Sequence, residues 1–212
     1  LSVPFNLKRT RAQAALLAGQ MQGDGRNILL IPGLMASEQR MGWLRDILNA
    51  AGYAAHDWGM GRNFGPKPDS LDKIDRRVDA IRKQTGAPVT LVGWSLGGLY
   101  AREYAKHAPD NIARVVTLGS PFSGNPRSNH AWRLYEWIAR HPVDAPPIDC
   151  RLAEKPPVET IAIWSAMDGV VSASSARGET GEADRHMELR CSHMGFALDP
   201  RAIDAVIEIA AA

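Results

Sequence analysis

The stretch Gly93-Trp94-Ser95-Leu96-Gly97-Gly98 constrains what this chain can fold into more than any other. It follows Val89-Thr90-Leu91-Val92, an apolar, β-branched run that predicts a buried strand. It precedes Leu99 to His107, which predicts a helix. A serine set between a strand and a helix, with a glycine two residues away on either side, requires a very sharp turn. Gly93 and Gly97 have no Cβ, so strand and helix can approach closely around Ser95. The serine itself is expected in a strained backbone conformation. The turn lifts its hydroxyl above the sheet, at a helix N-terminus whose N–H groups and dipole favour negative charge.

The rest of the chain repeats the same strand–helix rhythm. Residues 8–22, rich in Ala, Leu and Gln, predict an N-terminal helical arm within 1–24, closed by the turn at Gly23-Asp24-Gly25. Asn27 to Ile31 reads as a buried strand ended by Pro32-Gly33. Met41, Leu44, Leu48 and Ala51 predict one amphipathic helix over Ser37 to Ala51, with Ser37 as its N-cap. Tyr53 to Trp58 is a short strand and Gly59 to Asp69 a Gly/Pro loop. Leu71, Ile74, Val78 and Ile81 trace a helix that stops at Gly86. After the serine turn come strands at Ile112 to Leu118, Glu159 to Trp164 and His186 to Arg190, then a helix over Pro200 to Ala211. Between Phe122 and Pro157 the rhythm breaks into an excursion with one helix, Ala131 to Arg140, and a proline-rich return. Alternating strands and helices predict an α/β fold: about six mostly parallel strands with helices on both faces. A single domain with a cap insert over 122–157 is the simplest division of the 212 residues.

Composition removes several function classes. The net charge is only +2, and no Lys/Arg cluster is interleaved with aromatics, so nucleic acid is not an expected partner. The longest apolar runs are too short to cross a bilayer. No leader peptide is visible, which favours the cytoplasm, although the chain starts at Leu1 rather than Met. The six histidines show no metal-ligand spacing, so no metal is expected. Cys150 and Cys191 do not make a disulfide framework; they either pair and pin the insert or remain two partly buried thiols.

A serine hydroxyl is a poor nucleophile without a base, and the base needs an orienting partner. In a parallel sheet such groups gather just beyond the carboxyl ends of the strands. Asp168 follows the strand Thr160 to Trp164, and His193 follows the last strand, giving the order Ser95, Asp168, His193 expected with a serine turn of this kind. Asp57 is a weaker candidate acid, and Asp144 and Asp149 are expected to face solvent. An oxyanion formed on attack needs preformed N–H donors. Leu96 should supply one, and Leu34 in the loop Pro32-Gly33-Leu34-Met35 the other, with Met35 as the alternative.

On these residues the chain resembles the α/β-hydrolase superfamily, and within it bacterial lipase/esterase-like and acyltransferase-like proteins. The matching pieces are Ile31-Pro32-Gly33-Leu34, the turn Gly93 to Gly98, Gly119-Ser120-Pro121, Asp168-Gly169-Val170-Val171 and Ser192-His193. The resemblance implies serine acyl-enzyme chemistry on a small ester or acyl substrate, with no metal or organic cofactor. It also implies that the chain begins at the family's third strand. One departure is Pro32-Gly33, where many lipases carry His-Gly. The expected activity is carboxylic ester hydrolysis. The rivals are acyl transfer with the same three residues and a non-catalytic binding module. Aromatic residues in the insert suggest a lid over an acyl pocket. The residues expected to contact substrate are Met35, Trp94, Phe122, Trp132, Tyr135 and Met194.

Overall fold

The computed structural model describes residues 23–125, 127, 132–148 and 150–212. The helical arm expected over 8–22 lies outside them.

Six parallel strands form one sheet in the order β2-β1-β3-β4-β5-β6. They are β1 (Asn27–Ile31), β2 (Ala54–Asp57), β3 (Val89–Trp94), β4 (Ile112–Leu118), β5 (Glu159–Trp164) and β6 (Arg185–Glu188). Alternation along each strand sends side chains to opposite faces, and the two faces need different partners. Ile28, Leu30, Val92, Val116 and Ile161 meet α1 (Gly42–Ala50) and α6 (Pro200–Ala211) in one core. Leu29, Ile31, Leu91 and Val115 meet α2 (Ser70–Thr85) and α3 (Leu96–His107) in another. The strands therefore read as continuous apolar runs because both faces are covered.

Helix α2 ends where Gly86 adopts φ 71°, a left-handed cap that glycine enters without steric cost. The helix expected over Ser37 to Ala51 is divided. Glu38–Arg40 forms a single 3₁₀ turn, Met41 leaves helical geometry at φ −100°, ψ 1°, and α1 begins at Gly42. The break lets the Met41 side chain sink into the core at 1% exposure. Ser37 precedes the 3₁₀ turn without a side-chain cap bond. The last strand lies slightly earlier than His186 to Arg190. Its pairing ends at Glu188 opposite Trp164, with one more bond from the Leu189 N–H to the Trp164 carbonyl. Cys191 then turns inward, toward the loop carrying His193. Both sheet edges, β2 and β6, are four residues long.

The excursion leaves the sheet after β4 and carries α4 (Trp132–Ala139). It returns through proline-rich coil to β5. A five-residue helix not foreseen in the sequence, α5 (Ala173–Arg177), follows Asp168 and is capped by the Ser172 side chain accepting from the Ser175 N–H. Among the described residues, no helix is long and apolar enough to cross a membrane.

Candidate active site

Ser95 sits between β3 and α3 at φ 55°, ψ −120°. An L-residue enters this region only when its surroundings hold it there. The surroundings are backbone. A Cβ on Gly93 would lie 2.3 Å from the Gly97 carbonyl oxygen, and one on Gly97 would lie 2.1 Å from that of Ile31. The Ser95 N–H donates to the Leu118 carbonyl at 2.8 Å, which ties the turn to the neighbouring strand. The serine is half-buried and opens onto a cavity.

The loops after β5 and β6 bring an acid and an imidazole together. His193 Nδ1 lies 2.7 Å from Asp168 Oδ2, with both side chains buried. The His193 N–H also donates to the Asp168 carbonyl at 2.9 Å, so the two loops are joined by main chain as well as side chain. The other carboxylate oxygen, Oδ1, accepts the N–H groups of Val170 and Val171 at 2.8 and 2.7 Å. Asp168 is thus held in one orientation at the turn Gly169 begins. Asp57, the alternative acid, forms an ion pair with Arg45 instead. Asp144 pairs with Arg127 at the surface, and Asp149 lies outside the described residues.

The loop after β1 closes against the serine turn. A Cβ on Gly33 would lie 3.2 Å from the Ser95 Cβ, a tight contact that the bare glycine backbone avoids. Its shape is set by Asn63, a residue of the Gly/Pro loop after β2. Asn63 is 1% exposed, donates through Nδ2 to the Pro32 carbonyl at 2.8 Å and accepts the Met35 N–H on its own carbonyl at 2.7 Å. The Met35 amide is therefore directed at Asn63. Leu34 and Leu96 both line the cavity beside Ser95.

That cavity, about 110 Å³, is lined mainly by apolar groups, including Leu34, Leu99, Trp132, Tyr135, Ile148 and Leu152. Trp132 and Tyr135 from the excursion thus line the same space as Ser95. The other four residues expected to contact substrate do not line it. Trp94 points to the opposite side of the sheet at 4% exposure, where its Nε1 donates to the His193 carbonyl at 3.0 Å and its ring packs against the imidazole. An even strand position adjoining Ser95 had to face away from the serine turn. Phe122 is buried beneath Arg102, whose guanidinium lies 4.0 Å from the ring centroid. Met35 and Met194 are exposed at 38% and 42%. The wall from α3 was legible but unread: Leu96, Leu99, Tyr100 and Glu103 recur at helical spacing from the serine. Burial pushes the Tyr100 and Tyr135 phenols well above their ordinary pKa, so both hydroxyls remain protonated. No disulfide joins Cys150 to Cys191: the first lines the cavity, while the second lies in the core at 5% exposure, its thiol pushed up to about 11 by burial.

A parallel sheet flanked on both faces, with a strained serine turn in mid-sheet, defines the α/β-hydrolase architecture. Residues 28–209 match the Alpha/beta hydrolase family, and the chain belongs to it. It is 31% identical over 105 residues to the pimeloyl-[acyl-carrier protein] methyl ester esterase of Photobacterium profundum, covering 49% of this chain and 41% of that enzyme. The corresponding enzyme of Aliivibrio salmonicida is 28% identical over 102 residues, covering 48% and 38%. The matched stretch therefore spans less than half the length of these curated relatives. The fold is shared with the monoacylglycerol lipase of Paleococcus ferrophilus (TM-score 0.63, 17% identity, 90% of this chain and 96% of that one). It is shared equally with a pyrethroid hydrolase of Sphingobium faniae (TM-score 0.64, 19% identity, 88% and 98%).

Proposed function

We propose that this protein is a serine esterase that cleaves small carboxylic esters through an acyl-enzyme. The observation that carries the proposal is the buried His193–Asp168 pair, 2.7 Å apart, on loops at the same end of the sheet as the strained Ser95. In this reading His193 removes the Ser95 proton as the hydroxyl attacks the ester carbonyl. Asp168 fixes the imidazole tautomer and stabilises the cation that forms. The same imidazole then protonates the departing alcohol, and in the second half-reaction it activates water to release the acid. The N–H groups of Leu96 and Leu34 receive the oxyanion, each supplying roughly 3 kcal/mol in the transition state. Leu34 is preferred to Met35 because the Met35 N–H is already directed to Asn63.

The apolar cavity supports an uncharged acyl group, in keeping with esterase relatives. The single domain with a cap over residues 122–157 is part of the proposal: α4 and the proline-rich return supply one wall of the acyl site. The direct test is labelling by a fluorophosphonate probe together with hydrolysis of p-nitrophenyl esters from acetate to octanoate. Labelling at Ser95 with turnover is expected. An unlabelled, inactive folded protein overturns the reading in favour of a non-catalytic module.

A further inference from the structure

The return limb of the excursion is fastened to α3, the helix that starts at Ser95, by two cations one turn apart. Arg102 is fully buried. Its Nε donates to the Leu152 carbonyl at 3.1 Å, and its Nη2 donates to the carbonyls of Ala153 and Glu154, each at 3.2 Å. Lys106, at the i+4 position, donates to the Arg151 carbonyl at 2.8 Å and to Glu103 Oε1 at 2.7 Å. Four consecutive carbonyls, 151 to 154, thus accept from one face of one helix. The outgoing limb meets the same side chain, because the Arg102 guanidinium stacks on Phe122. Both limbs of the excursion are therefore gripped at its neck by one residue.

The grip lies directly behind the cavity. Ile148, Cys150 and Leu152 line the space shared with Ser95, while Ile148, Cys150 and Glu103 also line an outer groove of about 540 Å³. Ile148 and Cys150, which line both, stand as the partition between the two, with Leu152 on the inner side. A partition made of coil has no ladder of its own to hold it, and exposed coil bound only by water moves readily. Charge-assisted bonds to carbonyls in a dry setting are strong and directional.

We propose that Arg102 and Lys106 form a two-cation staple that sets the position of the partition and so selects acyl-chain length in the esterase reaction proposed above. Both are positioning residues: neither lines the cavity at Ser95. With the staple intact, a chain longer than acetyl packs against Ile148, Cys150 and Leu152. With it released, the wall recedes and that contact is lost, while the acetyl group, close to Ser95, is unaffected.

The test compares Arg102→Met, Arg102→Lys and Lys106→Met with the wild type on p-nitrophenyl acetate and octanoate, alongside limited proteolysis. Arg102→Met should raise KM for octanoate about tenfold with kcat little changed, while acetate hydrolysis stays within about threefold. Arg102→Lys should restore part of the octanoate preference. New cleavage should appear within 140–155. Lys106→Met, a partly exposed site, should show the same pattern more weakly and decides the matter if Arg102→Met fails to fold. An unchanged octanoate-to-acetate ratio, or equal losses on both esters, overturns the staple. If the wild type hydrolyses neither ester, the esterase reading fails, and the proteolysis pattern still judges the staple: unchanged protection of 140–155 overturns it.

Discussion

The serine turn and the excursion above it share one cavity but are held by different means. Around Ser95 the contacts are backbone against backbone: Gly93 against Gly97, Gly97 against Ile31, the Ser95 N–H on Leu118. In the excursion the contacts are side chains against carbonyls and rings: Arg102, Lys106, Phe122, Tyr135. A position where an added Cβ would lie 2.1 Å from a carbonyl oxygen takes a side chain only if the backbone shifts, whereas a side-chain contact can be exchanged residue by residue. The first region can fix a reaction and the second can vary its substrate without disturbing it.

The sharpest way to break this contrast is at the reacting groups. Ser95→Ala should leave the circular dichroism spectrum intact and abolish probe labelling, with ester turnover down by about 10⁶-fold. Asp168→Asn should lower kcat by roughly 10⁴-fold through the wrong imidazole tautomer. Wild-type-like turnover in either would detach the chemistry from this end of the sheet. A methyl group at the turn is the next largest effect. Gly97→Ala, whose Cβ would meet the Ile31 carbonyl oxygen at 2.1 Å, should cost about 3 kcal/mol in urea denaturation. A fully stable Gly97→Ala would show that the turn is less constrained than its contacts imply.

In the excursion the effects should be smaller and selective. Trp132→Ala with Tyr135→Ala should reduce kcat/KM for long-chain esters about tenfold more than for acetate esters. Equal losses would make α4 packing only and would favour a plain short-chain esterase. Smallest is the helix that supports the histidine loop from behind. Asp199 caps α6 by accepting the Arg201 N–H at 2.9 Å, and the Arg201 side chain holds its carboxyl below the usual range. A lowered folded pKa means stability present above the unfolded value near 3.8 and lost as pH falls through the folded one. Asp199→Ala should therefore cost about 1 kcal/mol at neutral pH in thermal denaturation, and the difference should shrink as pH falls below the unfolded value near 3.8.

What was legible in the sequence follows the same division. The strand ends at Ile31, Leu118 and Trp164 and the order of Ser95, Asp168 and His193 could be read because period, glycine placement and chain order all derive from backbone geometry. The partners of Trp94 and Phe122 could not. Trp94 looked like a pocket residue because it adjoins Ser95, and only the pleat direction shows that it faces the His193 carbonyl. Asn63 gave no signal, since a buried asparagine in a Gly/Pro loop looks the same as an exposed one until its carbonyl partners are known. The burial of Arg102 gave no signal either, because charged side chains are seldom buried without visible partners, and its partners are main-chain atoms about fifty residues away.

The brevity of the two outer strands bears on how copies of this protein meet. A sheet edge is a row of unmatched N–H and C=O groups that can recruit another chain. Here β2 and β6 offer four residues each, and β6, Arg185-His186-Met187-Glu188, is charged and mostly exposed. Both edges are short and β6 is polar besides, which leaves little to template a cross-chain ribbon while the interior strands, apolar on both faces, stay covered in the folded protein.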